Sequence, residues 1–109
     1  MLLALLLAAL LAVPATARAS TRYHIVDLGT LGGYSQALGL NDHGQVVGVS
    51  STSTQLHGFV WRDGRMIDLG IGFEDGMNGS AARDISEDGV IAGDSPVGPN
   101  QYHAVIWRP

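Results

Sequence analysis

The sequence predicts an all-β fold of antiparallel four-stranded repeat units, propeller-like with two blades or, as the alternative, a small β-sandwich of two sheets. Three observations lead there. After residue 20, apolar stretches of strand length are divided by Gly, Asn, Asp and Pro, and no ten-residue window carries the helical period. A set of motifs occurs twice, at spacings of 41 to 46 residues. That repeat length is the length of a four-stranded blade.

The repeat is read by aligning the chain with itself. Asp27-Leu28-Gly29 returns as Asp68-Leu69-Gly70, and Ser35-Gln36-Ala37 as Ser80-Ala81-Ala82. Gly44-Gln45-Val46-Val47-Gly48 returns as Gly89-Val90-Ile91-Ala92-Gly93, and His57-Gly58-Phe59-Val60-Trp61-Arg62 as His103-Ala104-Val105-Ile106-Trp107-Arg108. The drift in spacing places extra residues in Ile71 to Gly79 and in Ser95 to Tyr102, both read as loops. The first unit covers about 27–67 and the second about 68–109.

Strands of the first unit are expected at Ser35 to Leu40, Gln45 to Ser51, Gly58 to Arg62 and Arg65 to Leu69. Asn41-Asp42-His43-Gly44 and Asp63-Gly64 supply tight turns between them. In the second unit strands are expected at Ala81 to Ile85, Val90 to Asp94 and His103 to Arg108, with Ser86-Glu87-Asp88-Gly89 as the matching turn. Its fourth strand is expected from the N-terminal side: residues 23–28, Tyr23 to Leu28, match Arg65 to Leu69 and would close the second unit. Two blades cannot surround a channel, since rings usually hold 4 to 8. Three arrangements remain open: a homo-oligomeric ring, a piece of a longer repeat protein, or two small sheets packed face to face.

Composition narrows the chemistry. The 46% hydrophobic content of the 109 residues is raised by Met1 to Val13, apolar at every position. These thirteen residues would rise about 20 Å as a helix, short of the roughly 30 Å hydrocarbon core. Pro14 and the small residues Ala15 to Ala19 follow, so 1–19 reads as a signal peptide cleaved after Ala17 or Ala19, without the usual basic start. A secreted, extracellular or periplasmic address is expected, with no membrane span once the signal is removed. The six basic residues are all arginine, and there is no cysteine. Disulfides, thiol nucleophiles, Schiff bases and a phosphate-loop lysine are thereby excluded. The formal charge of −4 carries no electrostatic footprint for nucleic acid. Arginine without lysine, beside abundant Ala, Leu and Gly, points to a GC-rich bacterial genome.

Asp27-Leu28-Gly29-Thr30-Leu31-Gly32-Gly33, then Ser35 and Ala37, then Leu40-Asn41 with Gly44, Val46, Val47 and Gly48, then His57, Phe59 and Trp61 form one ordered pattern. It resembles the extracellular HAF repeat family, whose units carry D-L-G-T-L-G-G, S-x-A, I-N-x-x-G-x-V-V-G and H-A-F-x-W. The resemblance spans nearly all of the chain after the signal. It departs in the second unit, where Ile71-Gly72-Phe73 replaces T-L-G-G, Ile85-Ser86 replaces I-N, and His103-Ala104-Val105 lacks the phenylalanine. It implies an extracellular β-repeat protein and carries over no enzyme activity.

Candidate sites follow from the recurring residues. His57 and His103 open equivalent strands, and period two puts His57, Phe59 and Trp61 on one face. Metal binding would need a converging ligand set, and no H-x-H or H-E-x-x-H spacing exists. Trp61 and Trp107 are read as packing between blades or, as the leading ligand-binding alternative, as platforms for sugar stacking. Asp27 and Asp68, each before Leu-Gly (Leu28-Gly29 and Leu69-Gly70), are expected to bond to the turn that follows. Gly44, Gly48, Gly89 and Gly93 are expected to take positive φ or to permit close strand approach. The expected role is therefore binding or structural, without catalysis and without a cofactor. The ligand would be an extracellular glycan or protein, or further copies of the chain. A lectin-like propeller assembled from several chains is the first alternative, and an extracellular hydrolase using turn carboxylates is the second.

Overall fold

A computed structural model describes residues 20–109; the signal peptide read over residues 1–19 lies outside the described residues. Among the described residues there are seven strands and no helix: β1 (Ser35–Leu40), β2 (Val46–Ser51), β3 (Leu56–Arg62), β4 (Arg65–Gly70), β5 (Ala81–Ile85), β6 (Ile91–Gly98) and β7 (Gln101–Trp107). They form two antiparallel sheets, β1-β2-β3-β4 and β5-β6-β7, which do not close into a ring. The fold is all-β, and its two packed sheets match the sandwich alternative.

Turn chemistry sets the hairpins. Asp63 and Gly64 hold φ of 52° and 78° between the paired Arg62 and Arg65, and two successive positive φ values give the turn whose twist suits a hairpin. At the β1–β2 turn the Asn41 side-chain oxygen accepts from His43 N and Gln45 N at 3.1 and 3.0 Å. Ser86 performs the equivalent task at β5–β6, its hydroxyl accepting from Val90 N at 3.0 Å. The two turns also touch each other: Asn41 Nδ2 donates to the Ser86 carbonyl at 3.0 Å, and Asp42 N donates to the Glu87 carboxylate. The segment from Ser95 to Tyr102, expected as a loop, instead continues β6 and β7 into a tight hairpin at Pro99-Asn100. Asn100 takes φ of 55°, and Pro96 pairs with Tyr102.

The sheets pack through the face of the first that carries Val47, Val60 and Ile67. Val47 and Val60 form a buried cluster with Ala82, Ile85 and Ile91, and Ile67, Leu69 and Trp107 pack against it. Each of the larger side chains contributes about 1.5–3 kcal/mol when withdrawn from water. Strand β5 lies against β1, β2 and β3. Two missing side chains admit it: a Cβ on Gly39 would stand 3.0 Å from the Arg83 carbonyl oxygen, and one on Gly58 would stand 2.9 Å from Ala82 N.

The closing strand expected at residues 23–28 is the principal correction. Tyr23 to Leu28 pair with neither sheet, and Tyr23 and Ile25 are 93% and 97% exposed. The reason lies at Gly29, whose carbonyl accepts from the Ser35 hydroxyl at 2.7 Å and so ties the arm to the start of β1. Val26 and Leu28 border an open apolar groove of about 550 Å³ along β1, shared with Ala37, Leu40 and Val46. The edge it was expected to reach, β7, belongs to the other sheet.

The sheet joint makes a direct prediction. Gly58→Val places a branched side chain against the backbone of β5 and should lower unfolding free energy by about 1–3 kcal/mol in urea titration. A Gly58→Val protein as stable as the parent would mean that the sheets stand further apart than described.

Candidate functional site

The repeated Asp-Leu-Gly triplets build identical corners. Asp27 Oδ1 accepts from Gly29 N at 2.9 Å, and Asp68 Oδ1 accepts from Gly70 N at 2.7 Å. The glycines take φ of 84° and 72°, a region in which a Cβ is strained. Ser35 donates to the Gly29 carbonyl and Ser80 donates to the Gly70 carbonyl, both at 2.7 Å. Two further buried serines complete the corners, Ser50 accepting from Leu31 N and Ser95 from Gly72 N at 2.8 Å. These residues are scaffolding: their polar atoms are spent on backbone groups.

The four recurring glycines divide by role. Gly44 and Gly89 hold φ of 73° and 86° in the turns. Gly48 and Gly93 are places of close approach, where a Cβ would fall on the carbonyls of Gln36 and Ala81.

The histidines and tryptophans diverge between units. His57 is half-buried, and its Nδ1 faces the Asp68 carboxylate at 2.9 and 3.0 Å, which puts the proton on Nδ1. His103, its equivalent, is exposed on β7. Trp107 packs against the cluster between the sheets. Trp61 is half-buried on the opposite face of the first sheet, paired with Val46 and Met66 in neighbouring strands, while Phe59 of the same face is buried. The structure therefore does not bring the two tryptophans, or the two histidines, to one place.

A different cluster is brought together by β5, β6 and β7. The Arg83 guanidinium donates through Nε to Asp94, and the Tyr102 hydroxyl donates to the other oxygen of the same carboxylate. Arg83 and Tyr102 line a cleft of about 290 Å³ with Gln36, Leu38, Val49 and Leu56 of the first sheet. The Arg83 hydrogen bond holds the Asp94 carboxyl below the usual carboxylate range, and the same bond pushes the guanidinium further up. Burial, helped by the hydrogen bond to Asp94, pushes the Tyr102 phenol up to about 12. A carboxylate fixed between a cation and a phenol, beside apolar walls, offers planar polar edges and an aromatic side chain to a polar ligand.

Sequence reasoning placed Asp94 at the end of an expected strand and passed over Arg83 and Tyr102 as site residues. The signal was present in the self-alignment. Leu38, Val49 and Leu56 of the first unit occupy the positions of Arg83, Asp94 and Tyr102 in the second, so an apolar trio is exchanged for a hydrogen-bonded one.

Scans against known protein families, curated proteins and solved structures find no match for this chain.

The Arg83–Asp94 pair sets a pH dependence. Asp94 has its folded pKa depressed, so its contribution is present above the unfolded carboxylate value of about 3.9 and is lost as pH falls through the lower folded value. Arg83→Gln should therefore reduce stability at neutral pH, and the difference from the parent should vanish in acid, as read by urea midpoints across pH. Asp94→Asn should bring one phenol ionisation down from about 12 toward the ordinary 10.0 in a phenolate absorbance titration.

Proposed function

We propose that the chain is an exported, non-catalytic β-repeat protein of the HAF type that binds a carbohydrate at the cell exterior. The observation that carries the reading is the cleft where Arg83 and Tyr102, both held by Asp94, meet the apolar residues of the first sheet. Saccharides are recognised by this combination, an aromatic or apolar surface for the sugar face and planar charged groups for its hydroxyls. The apolar Met1 to Val13 followed by small residues supports the exterior address. The recurrence of the D-L-G and G-x-V-V-G patterns supports the HAF assignment.

Trp61 is the second sugar-stacking candidate, and it lies on the other face of the first sheet. The two surfaces separate in one experiment. On a glycan array, Tyr102→Ala should abolish binding while circular dichroism stays unchanged, because Tyr102 is about half exposed (53%). Trp61→Ala should leave the array signal in place. Loss through Trp61→Ala alone would move the site to the outer face, and a parent protein that binds no glycan would end the carbohydrate reading.

A further inference from the structure

We propose that the N-terminal arm of one copy, Tyr23 to Asp27, adds as the fourth strand beside β7 of a second copy. The proposal does not rest on the carbohydrate reading: it is argued from sheet edges and register and invokes no ligand.

The arm has the sequence and the corner of a fourth strand without the sheet. Its Ile25-Val26-Asp27-Leu28-Gly29 matches Met66-Ile67-Asp68-Leu69-Gly70 of β4. The corner that follows repeats the one after β4 in three hydrogen bonds: aspartate accepting from the glycine N–H, serine donating to the glycine carbonyl, and a buried serine accepting from the N–H two residues after the glycine. The arm therefore stands to the first sheet as β4 stands to the second. What lies beside β4 is β3, whereas the arm pairs with no strand among the described residues and only borders the groove along β1.

The second sheet has the opposite lack. Among the described residues it ends at β7, the counterpart of β3, with no fourth strand and an unpaired edge. Such an edge is a template for pairing with another chain. The register follows from β3–β4, where Val60 pairs with Ile67 and Trp61 with Met66. Carried across, Ile106 pairs with Val26 of the other copy and Trp107 with its Ile25. The same geometry brings Asp27 toward His103, as Asp68 meets His57.

The faces agree with the edges. The outer face of the first sheet carries Val46 and Trp61 where the second sheet presents Ile91 and Trp107 to the joint. The outer face of the second sheet carries the exposed Ala92 and Ile106 where the first receives that joint with Val47 and Val60. Strand donation would thus seat the first sheet of one copy on the second sheet of the next. Asp84 and Ala104 stand where Gly39 and Gly58 admit close approach, so contact between copies is looser than the joint within a chain. The contact is head-to-tail, and repeats into a ring or an open chain of copies.

The arm borders β1 and Val46, on the face of the first sheet opposite Val47 and Val60, whereas its own β7 belongs to the sheet packed on Val47 and Val60, so a second copy is the partner. Disulfide trapping tests the register, because the parent has no cysteine and both positions are exposed. In the full chain purified from an exporting host, Val26→Cys with Ile106→Cys should give disulfide-linked dimers and higher species on oxidation. Intact thiols, or a disulfide confined to single chains, would overturn the proposal. In parallel, native mass spectrometry of the parent should show more than one chain. Ile25→Pro, which takes an N–H from an exposed segment and leaves both sheets intact, should shift the mass to a single chain with unchanged circular dichroism. A single-chain parent, or an Ile25→Pro assembly as large as the parent, would overturn it equally.

Discussion

The joint between the sheets depends on how closely β5 can lie against β1, β2 and β3, and that distance is governed by Gly39 and Gly58, each facing backbone atoms about where its Cβ would be. Close approach brings Ala82 onto β3 and lets Ile85 and Ile91 reach Val47 and Val60. The asparagine and serine turns meet at one end of the same joint, where the Asn41 amide reaches the Ser86 carbonyl. Small residues at the contact and branched residues around it give a dry interior of modest size, suited to a chain that has no cysteine to staple it.

The two units use one plan for different ends. Corners at Gly29 and Gly70 share the aspartate and serine hydrogen bonds that set the turn, so the path from one unit to the next is repeated. The sheet faces are not repeated. Where the first unit places Leu38, Val49 and Leu56, the second places Arg83, Asp94 and Tyr102, and where the first has Gly39 the second has Asp84. The first sheet can thus accept a neighbour at close range on its inner face. The second turns a more polar surface outward, and its carboxylate is held ionised between a guanidinium and a phenol.

The functional residues show where one-dimensional reading loses its grip. His57, His103, Trp61 and Trp107 recur at equal spacing, which suggested equal roles, yet Trp107 is packed between sheets while Trp61 lies half-buried on the opposite face of the first sheet, against which no second sheet packs among the described residues. Position in a stack separates them: the second sheet has the first as a neighbour, and the first has none on its far side. Arg83, Asp94 and Tyr102 were overlooked because recurrence was used as the signal, and these residues differ from their counterparts. The informative positions were those where the units disagree.

Strand placement was legible because period-two patterning and turn residues act locally. Asp63-Gly64 takes positive φ whatever surrounds it, and β1 and β5 have the bounds expected of them. The repeat likewise announced two similar sheets. Tertiary structure alone decided the fate of Tyr23 to Leu28, because a strand-forming segment needs an edge within reach. The bond from Ser35 to the Gly29 carbonyl ties the arm to β1, where Val26 and Leu28 border Leu40 and Val46 instead of β7. Tertiary structure also extended β6 and β7 through Pro96, since pairing with Tyr102 stabilises a hairpin that glycine and proline spacing alone would mark as a loop. Local preferences are set by each residue and its neighbours in sequence; which edges and faces meet is set by chain connectivity and close packing, which no short window contains.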